Sequence, residues 1–148
     1  MAKIYFQGTD GAYMHQASLW YRDHLSAPID EIRGFSSFEL CWQALLATSG
    51  VDDVVLICAI ENTIAGTVHE NLYRLRKYDI EIIGSYDLPI DHCLCSHEDD
   101  ITHIRRVYSH YVALPQCYEY LRSKGITDQV VYHDTAAAAQ LIAGTREP

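Results

Sequence analysis

Apolar and polar positions along this chain switch repeatedly between a period of two and a helical period, which predicts strand, helix, strand, helix almost throughout. Lys3 to Gln7 reads as a strand closed by the turn Gly8-Thr9-Asp10-Gly11, and Ala12 to His24 as a helix with Ala17, Trp20 and Tyr21 at helical spacing. Glu31 to Phe35 is a short strand. Ser36 and Glu39 stand at capping-box spacing ahead of a helix with Leu40, Cys41, Trp42, Leu45 and Leu46, which Gly50 ends. Val54 to Ile60 is nearly all apolar, as suits a strand buried on both faces. A loop from Glu61 through Gly66 then precedes a helix with Val68, Leu72 and Leu75 on one stripe.

Ile80 to Cys95 reads as one long extended stretch with Tyr86, Leu88, Ile90, His92 and Leu94 on one face; Pro89 makes it an exposed strand or a connection between lobes. Arg106 to Ser109 is a strand, Pro115 to Lys124 a helix stopped at Gly125, and Gln129 to His133 a strand. Asp134-Thr135 cap an alanine-rich helix from Ala136 to Ala143 that Gly144 ends. Such alternation predicts an α/β fold with mainly parallel sheets. The long stretch divides it into two lobes, 1–79 and 80–148, joined by a crossing strand.

Composition narrows the function classes. The 148 residues are 49% hydrophobic and 21% charged, a balance unlike that of a disordered chain. No apolar run reaches the roughly 18 residues that span a bilayer, and the apolar start turns polar at Gln7-Gly8, too early for a signal peptide. A cytoplasmic location is expected. The net charge of −9 argues against nucleic acid or an anionic membrane as partner. It leaves room for a small anionic ligand in a locally positive pocket. Cys41, Cys58, Cys93, Cys95 and Cys117 make no C-x-x-C pair. Cys93-Leu94-Cys95 lacks the second, distant pair that structural zinc requires, so buried reduced thiols are expected and no metal.

In open α/β sheets ligands bind beyond the carboxyl ends of the strands. Four such ends carry polar signatures: Gly8 to Gly11, Glu61-Asn62-Thr63, Ser109-His110 and Asp134-Thr135. Each precedes a predicted helix or turn, where backbone N–H groups suit a small carboxylate; singly each reads more readily as a cap than as a ligand contact, and it is four at equivalent strand ends that point to a ligand. Glu61 follows an apolar strand, and a partly buried carboxyl there would hold its proton nearer to neutrality. The alternative is that it pairs with a base or caps a helix. His110 is an acid, a carboxylate-binding cation or a packed core residue, and His15 bridges the first helix to the sheet. Phosphate-loop, G-x-S-x-G and H-E-x-x-H patterns are absent.

These same residues resemble the catalytic region of prephenate dehydratases. Gly8 to Ala17 (GTDGAYMHQA), which includes Tyr13, resembles the family's opening motif, and Ala59 to Val68 (AIENTIAGTV) its Pro-Ile-Glu-Asn-Ser segment. Leu88 to Leu94 (LPIDHCL) is similar to its crossing strand, Val107 to Cys117 (VYSHYVALPQC) to its Ser-His…Gln-Cys motif, and Asp134 to Ala139 (DTAAAA) to its Thr-Ala helix start. Ala59, Thr63, Ser85 and Tyr111 depart from the common proline, serine, glutamate and proline. The resemblance implies two lobes around a cleft, similar to type II periplasmic binding proteins. It also implies conversion of prephenate to phenylpyruvate with loss of water and carbon dioxide and no cofactor.

On that reading Glu61 and His110 are the candidates for the proton, and Tyr13, Asn62, Thr63, Ser109, Thr135 and Ala136 bind substrate. Helix starts at Asn62-Thr63, Ser109-His110 and Thr135-Ala136 would grip its carboxylates. A catalytically silent cleft for an aromatic or dicarboxylate metabolite, or a non-aromatising prephenate decarboxylase, are the alternatives. The family's chain continues to a Thr-Arg-Phe segment, whereas here Thr145-Arg146 precedes Glu147. The expectation is therefore a connection cut short, a weak dehydratase, and a homodimer that covers the unfinished first lobe.

Overall fold

In the computed structural model, which describes residues 2–24, 28–48, 50 and 53–145, three consecutive residues of β1 (Ala2–Gln7), Ile4, Tyr5 and Phe6, are buried. Successive strand side chains point to opposite faces, so β1 is covered on both. It is the centre of a parallel sheet in the order β2-β1-β3, with β2 at Glu31–Phe35 and β3 at Asp53–Ile57. The crossovers are α1 (Tyr13–His24) and α2 (Phe38–Thr48), and both pack on β1. Cys41, Trp42 and Leu45 are the buried stripe of α2. The apolar run in β3 was expected to be buried on both faces. Val54 to Ile57 are only half-buried, because β3 forms an edge of this sheet.

The cap of α2 is Ser37, one residue later than the capping-box spacing suggests: its Oγ accepts the Leu40 N–H at 3.3 Å. Glu39 instead turns to Gln43 and to Arg74 of α3 (His69–Lys77). The Arg74 guanidinium, shared with Glu70 at 2.9 Å, holds the Glu39 carboxyl below the usual carboxylate range. Between β3 and α3 lies a small antiparallel hairpin, β4 (Glu61–Asn62) and β5 (Gly66–Thr67).

Gly34 of β2 stands opposite Phe6 in the ladder. A Cβ there would lie 2.5 Å from the Gly8 carbonyl oxygen and 2.9 Å from the Phe6 ring, which is fully buried. Neither neighbour yields easily, since Gly8 is itself tied by its N–H to the Phe35 carbonyl at 2.8 Å. Gly34→Ala is expected to destabilise by about 1–3 kcal/mol, the cost of overpacking a filled core. Chemical denaturation measures this, and an unchanged midpoint would show that the Gly8 turn gives way freely.

Residues Met1–Pro89 form one compact unit and Ile90–Pro148 a second. The second is built on two parallel strands, β6 (Arg106–His110) and β7 (Asp128–Tyr132), with α4 (Ala113–Ser123) and α5 (Thr135–Gly144). Ile104, Leu121 and Ile126 are its buried cluster. Gly125, at φ +76°, ends α4 in the left-handed conformation that only glycine adopts cheaply. The Ile126 N–H then reaches the Leu121 carbonyl and the Gly125 N–H the Arg122 carbonyl, both at 3.0 Å. This pair of bonds is the Schellman motif, and Leu121 and Ile126 supply its apolar contact. Ile101–His103 adds a 3-10 turn that the apolar pattern did not mark.

The α/β architecture with parallel sheets is the one the alternation predicts. The long strand from Ile80 to Cys95 is not formed: residues 78–96 pair with no strand. Side chains hold this stretch instead. Tyr86 stacks on Trp20 of α1 at 3.9 Å, and the His97 ring reaches the Ile142 carbonyl at 2.7 Å. Cys93 and Cys95 consequently lie exposed rather than buried. Cys41 is buried and Cys58 half-buried, which pushes their thiols up to about 11 and about 12. Among the described residues no group of three or more His, Cys, Asp or Glu side chains is placed to hold a metal ion.

Candidate functional site

Parallel strands gather their helix starts at one edge, and in the second unit that edge collects four of the residues singled out in the sequence. His110 closes β6 in register with Tyr132 of β7, so Ser109-His110 and the segment from His133 to Ala136 emerge together. The opposite edge carries the in-register ion pair Arg106–Asp128 at 2.7 Å. Ser109, His110, Thr135 and Ala136 are all half-buried.

The His110 ring accepts the Val112 N–H at Nδ1, 3.4 Å away, and lies tilted 4.4 Å from the Tyr111 ring. Burial lowers its pKa, and the nearby Asp134 carboxylate opposes that shift without cancelling it. At neutral pH the ring is therefore uncharged and, with Nδ1 accepting, carries its proton on Nε2. In that form Nε2 is free to donate a hydrogen bond.

The two helix starts at this edge differ. Asp134 caps α5: its Oδ1 accepts the Ala136 N–H at 2.7 Å and the Ala137 N–H at 3.3 Å. A carboxylate thus already occupies the place where Thr135-Ala136 were expected to grip an anion. Val112 caps α4 with no side-chain hydrogen bond. The start of α4, beside Ser109-His110, is the one whose N–H groups and positive dipole end suit an incoming carboxylate.

In the first unit, Tyr13 opens α1 half-buried, directly after the Gly8–Gly11 turn. His15 bridges helix and sheet, accepting the Gly11 N–H at 2.9 Å while its ring stacks on Phe6. Asn62 and Thr63 do not start a helix. The Asn62 Oδ1 accepts the N–H groups of Ile64 and Ala65 at 2.9 and 2.8 Å and so closes the β4–β5 hairpin. Glu61 is exposed, because β3 ends at Ile57 and the chain leaves the sheet before reaching it. The partly buried carboxyl expected from the sequence is not what this fold makes.

Asn71, on α3, escaped sequence reasoning. It is fully buried and uses both ends of its amide: Oδ1 accepts the Trp42 indole N–H at 3.0 Å, and Nδ2 donates to the Ala59 carbonyl at 2.8 Å. The Val68 N–H meets the Ile60 carbonyl at 2.8 Å. Together they fix the segment that leads into Glu61 and Asn62. Its only sequence signal was an asparagine on the apolar side of a helix, where a leucine would be ordinary.

A family model described as prephenate dehydratase matches residues 4–148. An arogenate dehydratase/prephenate dehydratase 2 from Arabidopsis thaliana is 35% identical over 95% of this chain and 35% of its own length. A bifunctional chorismate mutase/prephenate dehydratase from Enterobacter agglomerans is 29% identical over 99% of this chain and 37% of its own. The chain thus spans about a third of the length of the curated relatives it matches. A solved structure described as GqqA, a novel type of quorum quenching acylase, superposes with a TM-score of 0.64 at 23% identity, over 98% of this chain and 51% of that one. That likeness concerns the fold alone. Thr145 caps the C-terminus of α5, and Arg146 and Glu147 lie outside the described residues.

Proposed function

As the chain belongs to the prephenate dehydratase family, we propose that it acts on prephenate, forming phenylpyruvate on the route to L-phenylalanine as a lyase that needs no cofactor. In this reaction the bond from the ring to its carboxylate breaks and releases carbon dioxide, and the electron pair restores aromaticity. The ring hydroxyl leaves with its bonding pair, held by a hydrogen-bond donor, and takes a proton from solvent to become water. Aromatisation supplies the driving force. The protein has to hold a dianion and give the departing hydroxyl a hydrogen bond that strengthens as it leaves.

The observation that carries this reading is the pairing, at the end of β6, of an α4 start without a side-chain cap and a neutral, half-buried His110. The helix start takes a carboxylate, and His110 Nε2 donates to the hydroxyl. Ser109 adds a hydroxyl at the same edge, as does Thr135. Glu61, exposed on β4 beside Asn62 and Thr63, is the second candidate for the proton. Incubation with prephenate at neutral pH followed by chromatography is expected to yield phenylpyruvate. A dihydro product that retains the hydroxyl would identify a decarboxylase, and unchanged prephenate a binding module; both contradict the proposal.

A symmetric homodimer is proposed with it. β2 and β3 are the edge strands of the first unit's sheet, while Ile82, Ile83 and Val131 are 69%, 59% and 62% exposed. Apolar surface of this kind is commonly covered by a partner. Sedimentation at micromolar concentration is expected to give twice the chain mass of 16.8 kDa. A species of the single-chain mass would overturn it.

A further inference from the structure

We infer that His92 is a positioning residue for His110, acting through Gln116 and the Val112 peptide; its role in turnover rests on the reading of His110 as the hydrogen-bond donor. Four half-buried residues of the second unit are linked in series. The Nε2 atom of His92 lies 3.1 Å from Gln116 Oε1, Gln116 Nε2 donates to the Val112 carbonyl at 3.0 Å, and the Val112 N–H donates to His110 Nδ1 at 3.4 Å.

The donor and acceptor roles follow from chemistry alone. A peptide carbonyl only accepts, so the nitrogen of the Gln116 amide must face Val112 and its oxygen must face His92. That oxygen also only accepts, so His92 must carry a proton on Nε2. At the far end a peptide N–H only donates, so His110 Nδ1 bears no proton and the neutral ring holds it on Nε2. One arrangement satisfies every link: the Val112 peptide sets the tautomer of His110, and His92, 18 positions away in sequence, steadies that peptide through Gln116.

Two further observations place the brace where it matters. Val112 opens α4 without a side-chain cap of its own, and the Gln116 side chain reaches back one turn to the Val112 carbonyl. His92 lies in the stretch that makes no strand pairing, so its own backbone ladder does not explain its position. Removing His92 leaves the Gln116 amide free to turn, loosens Val112, and lets His110 sample both tautomers. Only the Nε2–H form presents a donor while Nδ1 is engaged by the peptide.

The test reads ring nitrogens directly by 15N NMR of the histidine-labelled chain and needs no substrate. The wild-type chain is expected to show His110 as a single Nε2–H tautomer. His92→Phe is expected to convert it to a mixture, and His92→Gln, whose amide nitrogen still donates to Gln116 Oε1, to restore the single form. Gln116→Glu, which keeps the acceptor for His92 but loses the donor to Val112, is expected to behave as His92→Phe does, and it serves should that variant not fold. With prephenate as substrate, His92→Phe is expected to lower kcat about tenfold with KM nearly constant, less than the about 10²-fold that gross misplacement costs. Unchanged His110 ring shifts in both His92→Phe and Gln116→Glu would overturn the inference. A failure of the donor reading is separately visible, as full turnover by a His110 variant.

Discussion

Replacing Asn71 with leucine is expected to destabilise the first unit by about 2–4 kcal/mol, although leucine is the more apolar side chain and sits on a helix. The Trp42 indole N–H is buried with its ring and has Asn71 Oδ1 as its acceptor, so it would be left without a partner away from water. The Ala59 carbonyl would lose its donor too, but Ala59 is only half-buried and water recovers part of that loss. A buried polar group stripped of its partner costs about 1–3 kcal/mol, and removing both partners costs far less. The double variant Trp42→Phe/Asn71→Leu should therefore be less destabilised than the sum of the two single changes. Additive effects in urea denaturation would show that the indole and the amide are not coupled.

His110→Ala is expected to slow phenylpyruvate formation by about 10²–10³-fold, the usual cost of losing one donor aimed at developing negative charge. The loss should fall on kcat, because the bond to the hydroxyl strengthens only as that group departs. His110→Asn retains an N–H donor and should recover part of the rate. Glu61→Gln, by contrast, changes an exposed carboxyl on β4 and tests the second proton candidate independently. If His110→Ala costs less than about tenfold while Glu61→Gln costs more, the roles assigned to the two residues must be exchanged.

Much of the fold was legible in local patterns. β2 begins and ends where alternation places it, Gly125 stops α4, and Asp134 caps α5 through two backbone N–H groups. Each of these depends on interactions within a few residues. The misses depend on partners far along the chain. Ile80 to Cys95 has the composition of a strand, but a strand exists only where another pairs with it, and here Trp20 takes Tyr86 by ring stacking. Val54 to Ile57 look central by composition and lie at an edge, since sheet order is a property of the whole chain.

The same distinction applies to the site. Ser109 and His110 were placed correctly at a strand end because β6 follows directly from its apolar alternation. Asn62-Thr63 looked like a helix start because asparagine and threonine serve caps and turns alike. Only the bonds from Asn62 Oδ1 to Ile64 and Ala65 decide for a hairpin. Nor does spacing distinguish a helix start without a side-chain cap from one its own carboxylate has closed. That difference lies in Asp134, which bonds to Ala136 and Ala137, and in Val112, which offers no side-chain bond.

A titration of the 15N-labelled chain with phenylpyruvate, followed through its backbone amides, tests the central claim most directly. The largest shifts are expected at residues 109–113, at the end of β6 and the start of α4, with smaller ones at residues 134–137, where Asp134 already occupies the helix start. Saturating shifts confined to other parts of the chain, with residues 109–113 unmoved, would contradict it.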